Sequence, residues 1–359
     1  MVMYLVNSVN IFKRNQINAF SPEVVFGLDL LRESRPSAAM SQPRTSLPLG
    51  PLSALIATFF FSINDAAIKF LSGDYALHQI VLTRSLIGLA ILLIVIVPFQ
   101  GGFSALRTKR LGMHMLRGLC VVFANTSFFL GLAVLPLADA MAVFFISPLL
   151  ITLFGALLLG EVIGPRRKAA VAAGMVGVLI MIRPGAADFN LALLLPVVAA
   201  VAYALLHVLT RKIGTTDSAA TMAVFIQIVF IVVSASVGLL LGHGAYENAG
   251  GEMISFLLRA WHWPATADWP ILFLLGCSIA FGGFFISQAY RVSEASLIAP
   301  LEYAAMPMGV LFGIVIFDEW PAPTTWIGMA LIIGAGLFVF WREAKTGTAP
   351  VPDRPRVRR

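Results

Sequence analysis

Ten stretches of this chain, at about 52–71, 78–98, 112–131, 139–159, 168–183, 190–209, 220–241, 270–289, 295–317 and 323–341, each read as a passage through a lipid bilayer. Such a span needs roughly 20 mostly apolar residues. The third stretch, which holds His114, Arg117 and Asn125, and the short fifth meet that standard least well. Hydrocarbon offers no partner to a free N–H or C=O, so a lipid-facing segment must satisfy its own backbone, and each stretch is predicted to be a helix. Only 12% of the 359 residues are charged, against about 25% in soluble domains. The fold class is therefore all-α and polytopic.

The chain also repeats itself. Pro148 is followed 13 residues later by Glu161, and Pro307 is followed 12 residues later by Glu319. Each glutamate closes an apolar run and precedes a turn and a further apolar helix. The two halves fall at 50–184 and 188–341, with five spans each. An odd number of spans per half inverts the second half relative to the first, which is a transporter architecture. A shift of 142 residues places Lys69 on Arg211, Asp65 on His207 and Phe61 on Tyr203, and brings Arg84 within one position of Gln227. Residues 1–49 read as an N-terminal tail, with Met40 as a plausible natural start. Residues 342–359 read as a disordered basic tail.

The net charge of +7 does not point to nucleic acid. The basic residues cluster in alternate short loops, which is an orientation signal. With a cytoplasmic amino terminus, the inner loops hold Arg107, Lys109, Arg110, Arg166, Arg167, Lys168, Arg211, Lys212 and Arg291, and the outer loops only Arg183 and Arg259. Both termini are then cytoplasmic. Cys120 and Cys277 lie inside spans and read as small apolar side chains. No metal-ligand pattern, nucleotide loop or cofactor motif occurs, so neither a metal, a cofactor nor ATP is expected. The long loop at about 242–268 carries Trp261 and Trp263 and reads as lying on the membrane surface.

The chain resembles the drug/metabolite transporter superfamily, in particular its EamA-type members. The residues that carry the resemblance are the two Pro–Glu blocks, the basic residue ending the first helix of each half (Lys69, Arg211), and the LGMHMLRG opening of the third helix with Arg117. It spans about 50–341. The stretch SINDAAIKFLSGDYALHQIVLTRS looks like a subgroup in which riboflavin and S-adenosylmethionine carriers have been named. The resemblance implies a central cavity between the halves, alternating access, an inner-membrane location, a small-molecule substrate and no prosthetic group. An amino-acid or metabolite exporter of the same fold is the near alternative. An integral-membrane lipid enzyme is the distant one, and a passive channel is a third. The protomer is read as a monomer or a homodimer.

Ionisable groups inside a bilayer are costly, about 2.5–3.5 kcal/mol on insertion scales, and mark the places to look. Asp65 and Arg84 are expected at one depth on the first hairpin, with Lys69 at i+4 from Asp65. They form either a structural ion-pair cluster or a coupling site for a proton or a cationic group. Arg117 and Glu302 are expected at matching depth on helices from opposite halves, where a cross-repeat pair is plausible. Asn125 extends the polar face of the third helix, and Tyr203, His207 and Tyr303 are further substrate candidates. Pro300 and Pro307 predict a kink beside Glu302. Glu161 and Glu319 sit at helix C-termini, on the unfavourable end of the dipole. They read as structural turn elements satisfied by other groups, together with Lys69, Pro148, Arg211 and Pro307. Arg84, Arg117 and Lys69 favour an anionic or zwitterionic solute, unless Asp65 and Glu302 cancel them.

Overall fold

A computed structural model describes residues 49–160, 164–183, 190–213, 216–246, 250–293 and 298–346. Secondary structure among the described residues is entirely helical. The helices are α1 (Leu49–Leu71), α2 (Leu77–Phe99), α3 (Leu111–Leu132), α4 (Leu137–Leu159), α5 (Pro165–Ile182), α6 (Leu194–Ile213), α7 (Ala219–Leu241), the short α8 (Glu252–Leu258), α9 (Trp269–Val292), α10 (Ala305–Phe317) and α11 (Pro323–Thr346). Among the described residues, α1 to α4, α6, α7 and α9 lie in the seven helical segments long and apolar enough to cross a membrane, while α5, α10 and α11 overlap the apolar stretches Lys168–Ile182, Leu301–Phe317 and Pro323–Phe338.

The polarity of the bundle is that of a protein dissolved in lipid. On α3, Leu116, Leu119 and Phe123 face outward, whereas His114 and Arg117 are buried. A helix that hides its charged residues and exposes its largest apolar ones is stable only where the surroundings are hydrocarbon. The chain is a multi-pass membrane protein.

Two helices depart from the expected continuous spans, both beside a proline. The helix expected at 139–159 breaks after Phe144 and restarts at Ser147. The stretch expected as the first part of 295–317 is a 3₁₀ helix over Ala299–Ala304 that becomes α-helical at Ala305. Pro148 and Pro307 lack the N–H that would bond to the carbonyl four residues back, and their rings crowd that carbonyl. Both helices then end on a left-handed residue, Gly160 (φ 71°) and Asp318 (φ 55°). Aspartate is one of the few side chains that tolerates this conformation. The next residue is Glu319 in the second case. Glu161, its counterpart, lies outside the described residues, as do residues 1–48 and 347–359.

Packing follows a regular scheme. α1 lies along α9, and α3 lies along α6. α2 contacts α9 and α7, α7 contacts α3, and α5 pairs with α11. In that last pair Gly177 and Gly328 meet backbone to backbone: a Cβ on Gly177 would lie 3.0 Å from the Gly328 carbonyl oxygen. The α8 loop docks on the α1–α2 turn. Arg259 donates to the carbonyl oxygens of Ser72 (2.9 Å) and Tyr75 (3.3 Å), and Tyr75 Oη donates to Asp268 at 2.5 Å. Trp261 stacks on His78 and fills a niche that Gly238 keeps open, while Trp263 remains exposed.

Candidate functional site

A cavity of about 110 Å³ lies in the bundle interior, walled by α1, α3, α4, α6, α7, α9 and the 3₁₀ segment before α10. On α1 the lining residues Thr58, Phe61, Ser62 and Asp65 recur at helical spacing, so one face of the helix supplies them all. Apolar walls come from Phe128, Phe144, Phe145 and Phe230. Polar side chains reach the space from both halves: Asn64, Asp65 and Asn125 from the first, and Tyr203, His207, Gln227 and Glu302 from the second.

Of the eight sequence-predicted site residues, Asp65, Asn125, Tyr203, His207 and Glu302 meet at this cavity, and Arg84, Arg117 and Tyr303 do not line it. Two expected ion pairs are replaced by other arrangements. Arg84 makes no direct bond to Asp65. Its guanidinium donates to Asn64 Oδ1 at 2.6 Å and to Asn125 Oδ1 at 2.7 Å, with the rings of Phe129 and Phe230 at 5.6 and 5.4 Å. The Asn64 amide then donates to Asp65 Oδ1 at 3.1 Å, so the arginine reaches the carboxylate through one intervening side chain. Matching depth on a hairpin put the two charges near each other, but Asn64 is the group that stands between them.

Arg117 does not meet Glu302. α3 packs along α6, and Arg117 Nε accordingly donates to Thr210 Oγ1 at 2.8 Å. Glu302 is held by two phenols: Tyr203 Oη donates to Oε2 at 2.8 Å, and Tyr290 Oη donates to Oε1. His207 is clamped between those two rings, with centroids at 4.2 and 4.0 Å, and neither of its ring nitrogens has a partner among the described residues. Gln227 Oε1 is likewise buried without a partner. Buried polar atoms of this kind call for a solute or water. Tyr303 turns away and packs against Gly336 on α11.

The two ends of the bundle are tied by backbone carbonyls. Near the α1 terminus, Lys69 Nζ donates to both carboxylate oxygens of Glu319 (2.7 and 2.8 Å) and to the Leu135 carbonyl (2.9 Å). Glu319 Oε2 also accepts from the Leu137 backbone N–H at 2.9 Å, at the start of α4. The expected i+4 contact from Lys69 to Asp65 gives way to this carboxylate. At the α6 terminus, Arg211 donates to the Ser293 carbonyl at 2.7 Å. Nearby, Asp217 accepts from Thr108 and faces His114 Nε2, both at 2.8 Å. Among the described residues, no group of three or more His, Cys, Asp or Glu is placed to hold a metal.

The sequence reading missed Asn64 and the aromatic walls. The polar spacing Thr58–Ser62–Asp65 inside an apolar helix was the available signal for the cavity face of α1.

Residues 48–183 match the EamA-like transporter family. Over 300 residues the chain is 30% identical to the riboflavin transporter of Vibrio cholerae, covering 82% of this chain and 94% of that protein. It is 29% identical over 292 residues to the S-adenosylmethionine uptake transporter of Rickettsia prowazekii, covering 81% and 92%. The riboflavin transporter of Rhizobium johnstonii is 27% identical over 302 residues, covering 84% and 94%. A solved protein crystal structure superposes with a TM-score of 0.59 at 23% identity, over 84% of this chain and 99% of its own, which establishes likeness of fold.

Proposed function

The chain belongs to the EamA-like transporter family and is a metabolite transporter, and on that premise we propose that it moves its solute by alternating access through the central cavity, without ATP. The observation that carries this reading is the cavity itself. Partnerless polar atoms of His207 and Gln227 face a space enclosed by helices of both halves, inside a bundle whose exterior is apolar.

We read the ten apolar helices as two inverted sets of five, α1–α5 and α6, α7, α9, α10, α11, over residues 50–184 and 188–341. Several features support it. The α1–α9 contact has its counterpart in α6–α3, and the α2–α7 and α5–α11 pairs map onto themselves. Proline-linked breaks and left-handed ends recur in α4 and α10. Lys69 bonds the carbonyl of Leu135 after α3, as Arg211 bonds that of Ser293 after α9. Asp65 and His207, paired by the 142-residue shift, both line the cavity.

The protein resides, in this reading, in a bacterial inner membrane with both termini cytoplasmic, and the solute is a planar nitrogen heterocycle carrying a polar chain. The present cavity is below the roughly 300–1,000 Å³ of drug-sized ligand sites, so admission requires the halves to part. A reporter fused after Lys345 is expected to read as cytoplasmic, and one inserted after Gly251 as external. The same side for both refutes the ten-span topology.

The transport reading is tested in sealed vesicles containing the purified protein. Radiolabelled S-adenosylmethionine or riboflavin should enter saturably, and faster when unlabelled solute is preloaded inside. A flux that rises linearly with concentration and ignores preloading identifies a channel. Turnover in detergent without vesicle flux identifies an enzyme.

A further inference from the structure

The sequence, read by its arginines, favours an anionic or zwitterionic solute. The cavity wall has the opposite character. Arg84 and Arg117 are both buried, and neither lines the space. Arg84 donates through its two Nη groups to the carbonyl oxygens of Asn64 and Asn125, and Arg117 donates through Nε to Thr210. The ionisable acids do line it: Asp65 from α1 and Glu302 from the segment before α10. Both Glu302 oxygens are occupied by tyrosine hydroxyls, whereas among the described residues Asp65 accepts only the Asn64 amide, on one oxygen. Asp65 is therefore the carboxylate that retains acceptor capacity on the wall.

The aromatic rings reinforce that sign. Phe61, Phe128, Phe144, Phe145 and Tyr203 surround the space. Ring faces carry negative quadrupole charge and attract cations, most strongly where water is excluded. A carboxylate inside an aromatic wall is the arrangement used for onium groups. A further acceptor is present in Gln227 Oε1, and His207, with both ring nitrogens unpartnered among the described residues, offers another whenever its ring is neutral. Against them stands the Asn125 amide. Its oxygen is fixed on Arg84, which leaves its N–H₂ as the donor end.

We infer that the cavity selects solutes carrying a positive charge on or beside a planar apolar body, with Asp65 as the group that reads the charge. This rests on the transport reading above and narrows its substrate class. A solute charge in contact with Asp65 lies next to that carboxylate, while Arg84 stands one side chain farther back, behind Asn64. A charge-assisted contact is worth more than a neutral one by enough to separate two ligands by about tenfold.

The test uses probes that differ in one charge. S-Adenosylmethionine carries a sulfonium, and S-adenosylhomocysteine has a neutral thioether in its place; riboflavin is a neutral planar third probe. Exchange of each is measured by counterflow in vesicles, with binding to the purified protein followed by thermal shift. S-Adenosylmethionine should half-saturate at a concentration at least about tenfold below either probe that lacks the sulfonium. Asp65→Asn should collapse that ratio towards one. Should the variant fail to fold, the wild-type ratio alone decides. Equal or better exchange of S-adenosylhomocysteine or riboflavin overturns the charge selection and leaves the transport reading intact. A ratio unchanged in a folded Asp65→Asn protein removes Asp65 from the role and overturns the proposal. No exchange of any probe refutes the transport reading, and this inference with it.

Discussion

Arg84→Met is expected to lower transport by at least about 100-fold while the protein still reaches the membrane. Arg84 fixes two cavity amides at once, through hydrogen bonds of 2.6 and 2.7 Å to Asn64 and Asn125. Without it both carbonyl oxygens lose their donor, and each amide can turn and exchange its donor and acceptor ends. Misplaced binding groups cost rates of this order even when the fold survives. Leaving a buried acceptor without a partner costs about 1–3 kcal/mol, so a lower melting temperature in detergent accompanies the loss. Arg84→Lys is the sharper variant. An ammonium keeps the charge but not the planar fork that spans two acceptors. It should retain most of the stability and still transport at least about tenfold more slowly. Initial rates in vesicles decide the matter: Arg84→Lys at the wild-type rate rules out the positioning role.

That role was not legible in the sequence. Ionisable residues inside apolar runs stand out as places of interest, since hydrocarbon makes them expensive. Their partners were a different question. Depth along the membrane can be read from helix register, so Arg117 and Glu302 could be placed at one level. Azimuth cannot, because it depends on which helices touch. α3 lies on α6, and that contact gave Arg117 a threonine and left Glu302 to two tyrosines. The inferred solute charge follows from the same point. Counting cations in the spans favoured an anion, but a cation seated behind the cavity wall is not the group a solute meets.

The fold was more legible than the site because its signals are local. Apolar run length marks a span whatever it packs against, and seven of the ten stretches appear as helices long enough to cross. Two of the other three, α10 and α5, have prolines that interrupt or open regular helix. Pro307 shortens α10 to Ala305–Phe317, and Pro165 opens α5. Glu319 is a middle case. Its position at a helix C-terminus signalled that something else must satisfy it, and that something includes the α4 N-terminal N–H of Leu137. Which lysine completes the arrangement depended on how α1 meets α10.

Lys69 and Glu319 tie α1 and α10 to the start of α4, and removing the lysine is expected to loosen that end of the bundle specifically. The three ammonium protons of Lys69 meet three acceptors, two on Glu319 and one on Leu135. The side chains are 11% and 27% exposed, so the pair is largely but not wholly withdrawn from solvent. Lys69→Met strands the carboxylate with only the Leu137 N–H. That costs up to about 3–5 kcal/mol for a fully buried pair, and on the order of 2 kcal/mol here given the exposure of Glu319. Lys69→Met with Glu319→Gln should recover part of the loss, because no charge is then left unpaired. The same contact spans helices that must separate if this end opens during transport. An interaction of about 1.4 kcal/mol changes such an equilibrium tenfold. A cysteine placed at Ser62, on the cavity face of α1, should therefore react at least about tenfold faster with an impermeant maleimide in the Lys69→Met background. The maleimide is applied from the side on which Lys69 lies. Faster labelling together with a lower melting temperature identifies a latch that opens in the cycle. Lower stability with unchanged labelling shows that Lys69 and Glu319 only hold the bundle together, and that the moving contact lies elsewhere.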